Sequence, residues 1–89
     1  MARVELTERF VDDASGIRSD RVLEHVHGVV RNLERFPQMG STDVPRSIAR
    51  EFGDDVRKYV VAPFDLVYEY NKDSDVVYVY GLVPCVQAR

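Results

Sequence analysis

The chain has 89 residues, of which 45% are hydrophobic and 30% charged, with a formal net charge of -3 at pH 7. A chain of this length buries roughly 60–65% of its unfolded surface, which is enough for one domain with a thin core. We therefore treat residues 1–89 as a single domain. This composition excludes extended disorder, and the lack of a long basic block disfavours nucleic acid as the main partner.

Compartment and membrane association follow from what the chain lacks. Cys85 is its only cysteine, so no internal disulfide can form and a reducing compartment is expected. The first ten residues carry charge from the third onward and contain no apolar signal core. The longest apolar run is far shorter than the about 20 residues that span a membrane. We expect a cytoplasmic protein with no membrane association.

The N-terminal part of the sequence predicts a short strand followed by two helices. Residues 3–6 alternate polar and apolar side chains, which is the period of a strand with one buried face. Thr7 is a typical N-cap residue for the first helix, whose apolar contacts are expected to be Phe10, Val11 and Ala14. A longer amphipathic helix is predicted over residues 21–36, and its main apolar positions are Val22, Val26, Val29, Leu33 and Phe36.

The remaining residues predict a short helix and three strands. Asp43 and Pro45 mark the start of the helix, which ends at Phe52. Residues 56–62, 64–70 and 76–83 read as strands, and the polar residues 71–75 form a hairpin loop. The last strand is apolar on both sides, which predicts a central position. The order predicts an α+β fold, β-α-α-(short α)-β-β-β, with a curved antiparallel sheet packed on a helical hairpin.

Three segments of the sequence together carry a family resemblance. They are PQMG at residues 37–40, VRKYVV at residues 56–61 and FDLVYEY at residues 64–70. In this order they resemble the ParE/RelE superfamily, the toxins of bacterial type II toxin–antitoxin (plasmid stabilisation) systems, over residues 3–83. The resemblance implies the same fold and DNA gyrase as the expected target, and we expect a toxin that acts by binding rather than by catalysis. It implies no cofactor and no metal.

The resemblance also implies partners and contact residues. A cognate antitoxin would lay an extended or helical segment over the helical hairpin and the sheet, and operator DNA would be met only through that antitoxin. The expected target or partner contacts are Arg57, Tyr59, Phe64, Asp65, Tyr68, Tyr70 and Arg89. Two structural alternatives stay open. Arg57 could form an ion pair with Asp54, Asp55 or Asp65, and the tyrosines could be cross-strand core packing.

Two further functions are compatible with the same resemblance. In a RelE-like endonuclease that cleaves mRNA on the ribosome without a metal, Arg57, Lys58, Tyr68 and Arg89 would carry the chemistry. Asp65 stands where relatives usually have a strand arginine, and no histidine lies in this half of the chain. Catalysis is therefore the less favoured hypothesis. A family member without toxicity, acting as an antitoxin partner or co-regulator, is the third.

Neither metal binding nor cysteine chemistry is predicted by the residue spacing. His25 and His27 are two positions apart on a helix, so their side chains point about 200° apart and cannot bind one ion. Cys85 has no neighbouring base in the sequence that would activate its thiol. We expect both histidines and the cysteine to be structural or solvated.

Overall fold

The computed structural model describes residues 1–85. Its elements are β1 (Arg3–Leu6), α1 (Glu8–Ser15), α2 (Asp20–Leu33), α3 (Arg46–Phe52), β2 (Arg57–Val61), β3 (Phe64–Asn71) and β4 (Val76–Pro84). This order is the one predicted from hydrophobic periodicity and from turn residues, so the predicted α+β architecture is confirmed. Arg89, which the sequence analysis predicts as a contact residue, lies outside the described residues.

The helix boundaries follow local chemistry, with two departures from prediction. The Thr7 hydroxyl accepts a hydrogen bond from the Phe10 N–H at 3.1 Å, which satisfies one free donor at the start of α1. Helix α2 ends at Leu33, before the predicted Phe36, because the residue before Pro37 is disfavoured in helical geometry. Helix α3 begins after Pro45 without a side-chain cap, so Asp43 does not cap it.

The four strands form one sheet in the order β1-β4-β3-β2. Strand β3 pairs antiparallel with β2 on one side and with β4 on the other, whereas β1 pairs with β4 in parallel. The sheet is therefore mixed, and the expectation of antiparallel pairing holds for three strands only. Strand β1 is separated from the others by three helices, so its direction depends on where those helices pack. The predicted central position of the last strand is confirmed, since β4 lies between β1 and β3.

Each face of the sheet has its own apolar core. On the hairpin face, which packs against α1 and α2, Leu66, Tyr68 and Val79 are fully buried. On the opposite face, which we call the α3 face, Val67 packs with Ile48 and other apolar residues of the α3 region. Burial on both faces explains why the strand β4 is apolar on both sides.

Helix α1 completes the edge of β4 beyond the end of β1. Strand β1 pairs with β4 only as far as Leu6 opposite Val79. Past that point, the Thr7 hydroxyl donates to the carbonyl oxygen of Tyr80 at 3.0 Å, and the N–H of Leu82 donates to Asp13 Oδ2 at 3.0 Å. These side chains replace strand partners for backbone groups that would otherwise be unpaired.

Candidate partner-binding site

The sheet separates the residues that the sequence grouped into one site. Opposed residues on neighbouring strands point to the same face, and the register therefore assigns each candidate to a face. The hairpin face carries Arg57, Tyr59, Phe64, Tyr68 and Tyr70. The α3 face carries Lys58 and Asp65. Arg57 and Lys58, which are sequence neighbours, therefore act on opposite sides of the sheet.

Tyr68 and Arg57 hold the loop that follows α2. The Tyr68 side chain is fully buried, and its hydroxyl oxygen accepts a hydrogen bond from the Gly40 N–H at 2.8 Å. Arg57 Nη1 donates to the carbonyl oxygens of Gln38 and Gly40 at 3.2 and 3.0 Å. Lys58 and Ser41 exchange two backbone hydrogen bonds at 2.8 and 2.9 Å. We call residues 36–41 the anchored loop, because these contacts fix it to β2 and β3.

The buried environment also changes the acidity of Tyr68. Burial raises the pKa of its hydroxyl, and the Gly40 N–H and the Arg57 charge partly offset this rise. The hydroxyl therefore stays protonated at neutral pH and has no access to solvent. Direct contact of Tyr68 with a target or with RNA is incompatible with this position, and its role in the fold is to position the anchored loop.

Asp65 forms an ion pair with Lys58 on the α3 face. Its side chain is 4% exposed, and Lys58 Nζ lies 3.5 Å from its Oδ1 atom. The possible ion pair of Arg57 with Asp65 is therefore replaced by one with Lys58, while Arg57 binds backbone carbonyls. A buried pair adds little net stability, but removal of one partner is costly because the other charge remains buried.

The half-buried part of the α3 face is aromatic and acidic. The Phe52 and Tyr80 rings are stacked with centroids 6.3 Å apart, and the Tyr80 hydroxyl donates to Glu69 Oε1 at 3.1 Å. Burial is the main cause of a raised pKa at Tyr80, and the hydrogen bond to Glu69 adds to it. Arg9 lies over Phe52, with Cζ 5.0 Å from the ring centroid, and pairs with Glu51. Its charge is therefore compensated and does not form a free anion site.

A polar cavity of about 440 Å³ is lined by Arg57, Tyr70 and residues of the β3–β4 hairpin loop, among others. The Tyr70 hydroxyl donates to Asp75 Oδ1 at 2.7 Å, and this acceptor is the main cause of its raised pKa. The full lining is Thr42, Asp54, Asp55, Val56, Arg57, Glu69, Tyr70, Asn71 and Lys72. Its acidic side chains outnumber its basic ones, which is unfavourable for a phosphate backbone.

Sequence reasoning missed an apolar groove between α1 and α2. Its volume is about 320 Å³, and it is lined by Leu6, Phe10, Val11, Ala14, His27, Val30 and Arg31. Val11, expected to be a buried contact, is 51% exposed, and Leu6 at the sheet edge is 49% exposed. One sequence feature indicates the exposure of Val11: it directly follows Phe10, and adjacent helical positions cannot both face one core.

A second apolar cavity lies at the C-terminal end of α2. Its volume is about 570 Å³, and its lining consists of Arg35, Phe36, Pro37, Gln38 and Met39. Phe36 was predicted to be the last core position of α2, but its side chain is 61% exposed. The helix ends before Phe36, so the 3.6-residue period no longer directs it toward the core.

Residues 1–85 contain no group of three or more His, Cys, Asp or Glu side chains arranged to hold a metal ion. His25 and His27 are both exposed on α2. Within the same part of the chain, no helix combines the length and apolar character needed to cross a membrane.

The fold is shared with several solved toxin structures. The RelBE2 toxin–antitoxin complex of Mycobacterium tuberculosis matches with a TM-score of 0.73 and 17% identity, covering 93% of this chain and 96% of the other. The intact RelBE complex of Escherichia coli matches with a TM-score of 0.70 and 16% identity, covering 94% and 96%. A metal-bound toxin of Helicobacter pylori matches with 0.67 and 18% over both whole chains. At these identities, the similarity establishes a common fold.

The family itself is established by the sequence. Residues 4–84 match the model of the ParE toxin of type II toxin–antitoxin systems, parDE. This chain therefore belongs to the ParE toxin family. No curated protein gives a significant match.

Proposed function

We propose that this chain is a toxin that acts by binding its target, with DNA gyrase as that target, and that a cognate antitoxin neutralises it in the cytoplasm. One observation supports binding over catalysis: each described candidate for ribonuclease chemistry already contacts other groups of the protein itself. Arg57 binds loop carbonyls, Lys58 pairs with Asp65, and Tyr68 is buried against Gly40. None of the three is free to bind a phosphate or to transfer a proton to RNA.

The antitoxin contact that the geometry favours combines the apolar groove with the edge strand β1. The N–H groups of Arg3 and Thr7 donate toward Asp75 and Val79. Because backbone groups alternate along a strand, those of Val4 and Leu6 point to the open edge. An added strand can pair with this edge while apolar side chains fill the groove. Operator DNA is then met only through the antitoxin.

Induced expression of this chain alone in a bacterial culture tests toxicity, with soluble protein confirmed by immunoblot. We expect growth arrest together with a block in DNA synthesis before any block in protein synthesis. With purified components, the chain is expected to inhibit supercoiling by gyrase and to increase the amount of cleaved DNA. Cleavage of ribosome-bound mRNA without an effect on gyrase would overturn this target and favour the endonuclease.

One observation favours a family member without toxicity as the second candidate. The strand position at which relatives carry arginine is occupied by Asp65, and its carboxylate is buried against Lys58. Replacing Asp65 alone with the arginine of relatives would therefore bury a second positive charge beside Lys58. The buried environment in this chain thus requires an acidic residue at position 65. Unimpaired growth with soluble protein present, combined with retained antitoxin binding, would support this candidate over an active toxin.

A further inference from the structure

The groove and the cavity at the end of α2 are two apolar sites, one lined in part by α2 and the other by the segment that follows it. Val30 and Arg31 of α2 form part of the lining of the groove. The second cavity begins at Arg35, in the turn that follows the end of α2 at Leu33, and includes the exposed ring of Phe36. Arg31 and Arg35 are four positions apart in the chain, and four residues span at most about 14 Å even when fully extended. The two apolar sites are thus close enough for one short segment to reach both.

Each of these sites has an arginine in its lining. Arg31 lines the groove and Arg35 lines the cavity, and both side chains are exposed. Neither takes part in any of the ion pairs formed among residues 1–85. Like charges that lie close together repel each other. No Asp or Glu contributes to the lining of either site.

The anchored loop presents the second site in a fixed conformation. The buried Tyr68 hydroxyl and the Arg57 guanidinium both bind Gly40, which follows the exposed Phe36 and Gln38 closely in the chain. Such anchoring reduces the conformational entropy that a partner would otherwise have to remove on binding. An exposed aromatic side chain on a fixed loop is also a common anchor of protein interfaces.

From these features we infer that the second site and the arginine pair extend the antitoxin contact beyond the groove. The segment that binds has apolar side chains at both ends and at least one carboxylate between them, which pairs with Arg31 and Arg35. This inference deepens the proposed function and rests on its antitoxin partner. A protein segment fits better than nucleic acid, because both ends of the surface require apolar side chains and the whole chain has a net charge of -3.

Calorimetric titration with the antitoxin encoded beside this chain tests the inference. The double variant Arg31→Glu, Arg35→Glu is expected to weaken binding about tenfold or more at low salt, and high salt is expected to reduce the difference. The matched control is Arg46→Glu, Arg50→Glu, an exposed pair with the same spacing on α3. This control is expected to bind like the unaltered protein.

A second pair of variants tests the end of the surface that includes Phe36. Phe36→Ser is expected to weaken antitoxin binding about tenfold, since an aromatic anchor buried in an interface commonly contributes this much or more. Val60→Ser, at a position 53% exposed on β2, is the control and is expected to have no effect. Circular dichroism of each variant confirms that the fold is retained.

The outcomes separate this inference from the function on which it rests. If the unaltered protein binds the antitoxin and neither the arginine nor the Phe36 variants weaken it, the inference fails and the proposed partner stands. If the unaltered protein does not bind the antitoxin, both fail. Binding of a single-stranded RNA oligonucleotide that the arginine variants abolish would overturn the inference in favour of a nucleic-acid surface.

Discussion

Replacing Tyr68 with phenylalanine removes one oxygen atom from the core and keeps the aromatic ring. The lost oxygen is the acceptor for the Gly40 N–H at 2.8 Å. Gly40 is buried, and its carbonyl oxygen already accepts from Arg57. After the change, the N–H has no acceptor in the protein and lies where water has little access. The anchored loop keeps its other contacts to β2, so we expect a destabilised but folded protein.

The expected cost follows from the unpaired donor. A buried polar group that loses its only partner costs about 1–3 kcal/mol, which exceeds the net contribution of an average hydrogen bond. For a domain of this size, each kcal/mol lowers the melting temperature by about 4–8 °C. Tyr68→Phe is therefore expected to lower it by roughly 8–16 °C for a cost of about 2 kcal/mol.

Urea unfolding followed by far-UV circular dichroism measures this cost. Tyr70→Phe is the matched control, since its hydroxyl donates to Asp75 at the exposed hairpin loop. The control is expected to unfold at the same urea concentration as the unaltered protein. Equal midpoints for Tyr68→Phe and the unaltered protein would refute the reasoning, because they would show that the Gly40 N–H needs no acceptor from the core.

The same substitution has a signature at alkaline pH. The folded state raises the pKa of Tyr68 above its ordinary value of about 10, so the unfolded state loses this proton first as pH rises. Stability from this group is therefore fully present below pH about 10 and is lost as pH rises toward the folded pKa. Tyr68→Phe is expected to show a weaker loss of stability above pH 10. An identical loss in both proteins would assign the alkaline effect to other tyrosines.

Three further changes test separate parts of the structure by urea unfolding. Gly40→Ala would place its Cβ 2.7 Å from the Tyr68 ring and is expected to lower the free energy of unfolding by about 1–3 kcal/mol through overpacking. Wild-type stability would contradict the close approach. Gly28→Ala meets no atom nearer than 4.0 Å outside its own helix backbone and is expected to stabilise by about 0.5–1 kcal/mol, whereas a loss would reveal a hidden contact. Lys58→Met leaves Asp65 buried without its partner and is expected to lower the free energy of unfolding by about 3 kcal/mol. The double variant Lys58→Met, Asp65→Leu is expected to regain most of this loss. No recovery in the double variant would refute the pairing.

Local patterns in the sequence were enough to predict the elements and their order. The 3.6-residue period gave α2, the N-cap at Thr7 gave the start of α1, and apolar residues on both sides of residues 76–83 gave the central position of β4. The segments at residues 37–40, 56–61 and 64–70 predicted the family, which the match over residues 4–84 confirms. These features depend on neighbours within a few residues, so they can be read along the chain.

Long-range geometry decided the candidate site. The parallel pairing of β1, the exposure of Phe36 and Val11, and the division of Arg57 and Lys58 between two faces depend on where distant elements pack. The sequence showed that Asp65 departs from the family pattern, but only the structure supplied Lys58 as its partner. Side-chain direction and burial depend on contacts between residues far apart in the chain, and hydrophobic periodicity carries no information about those contacts.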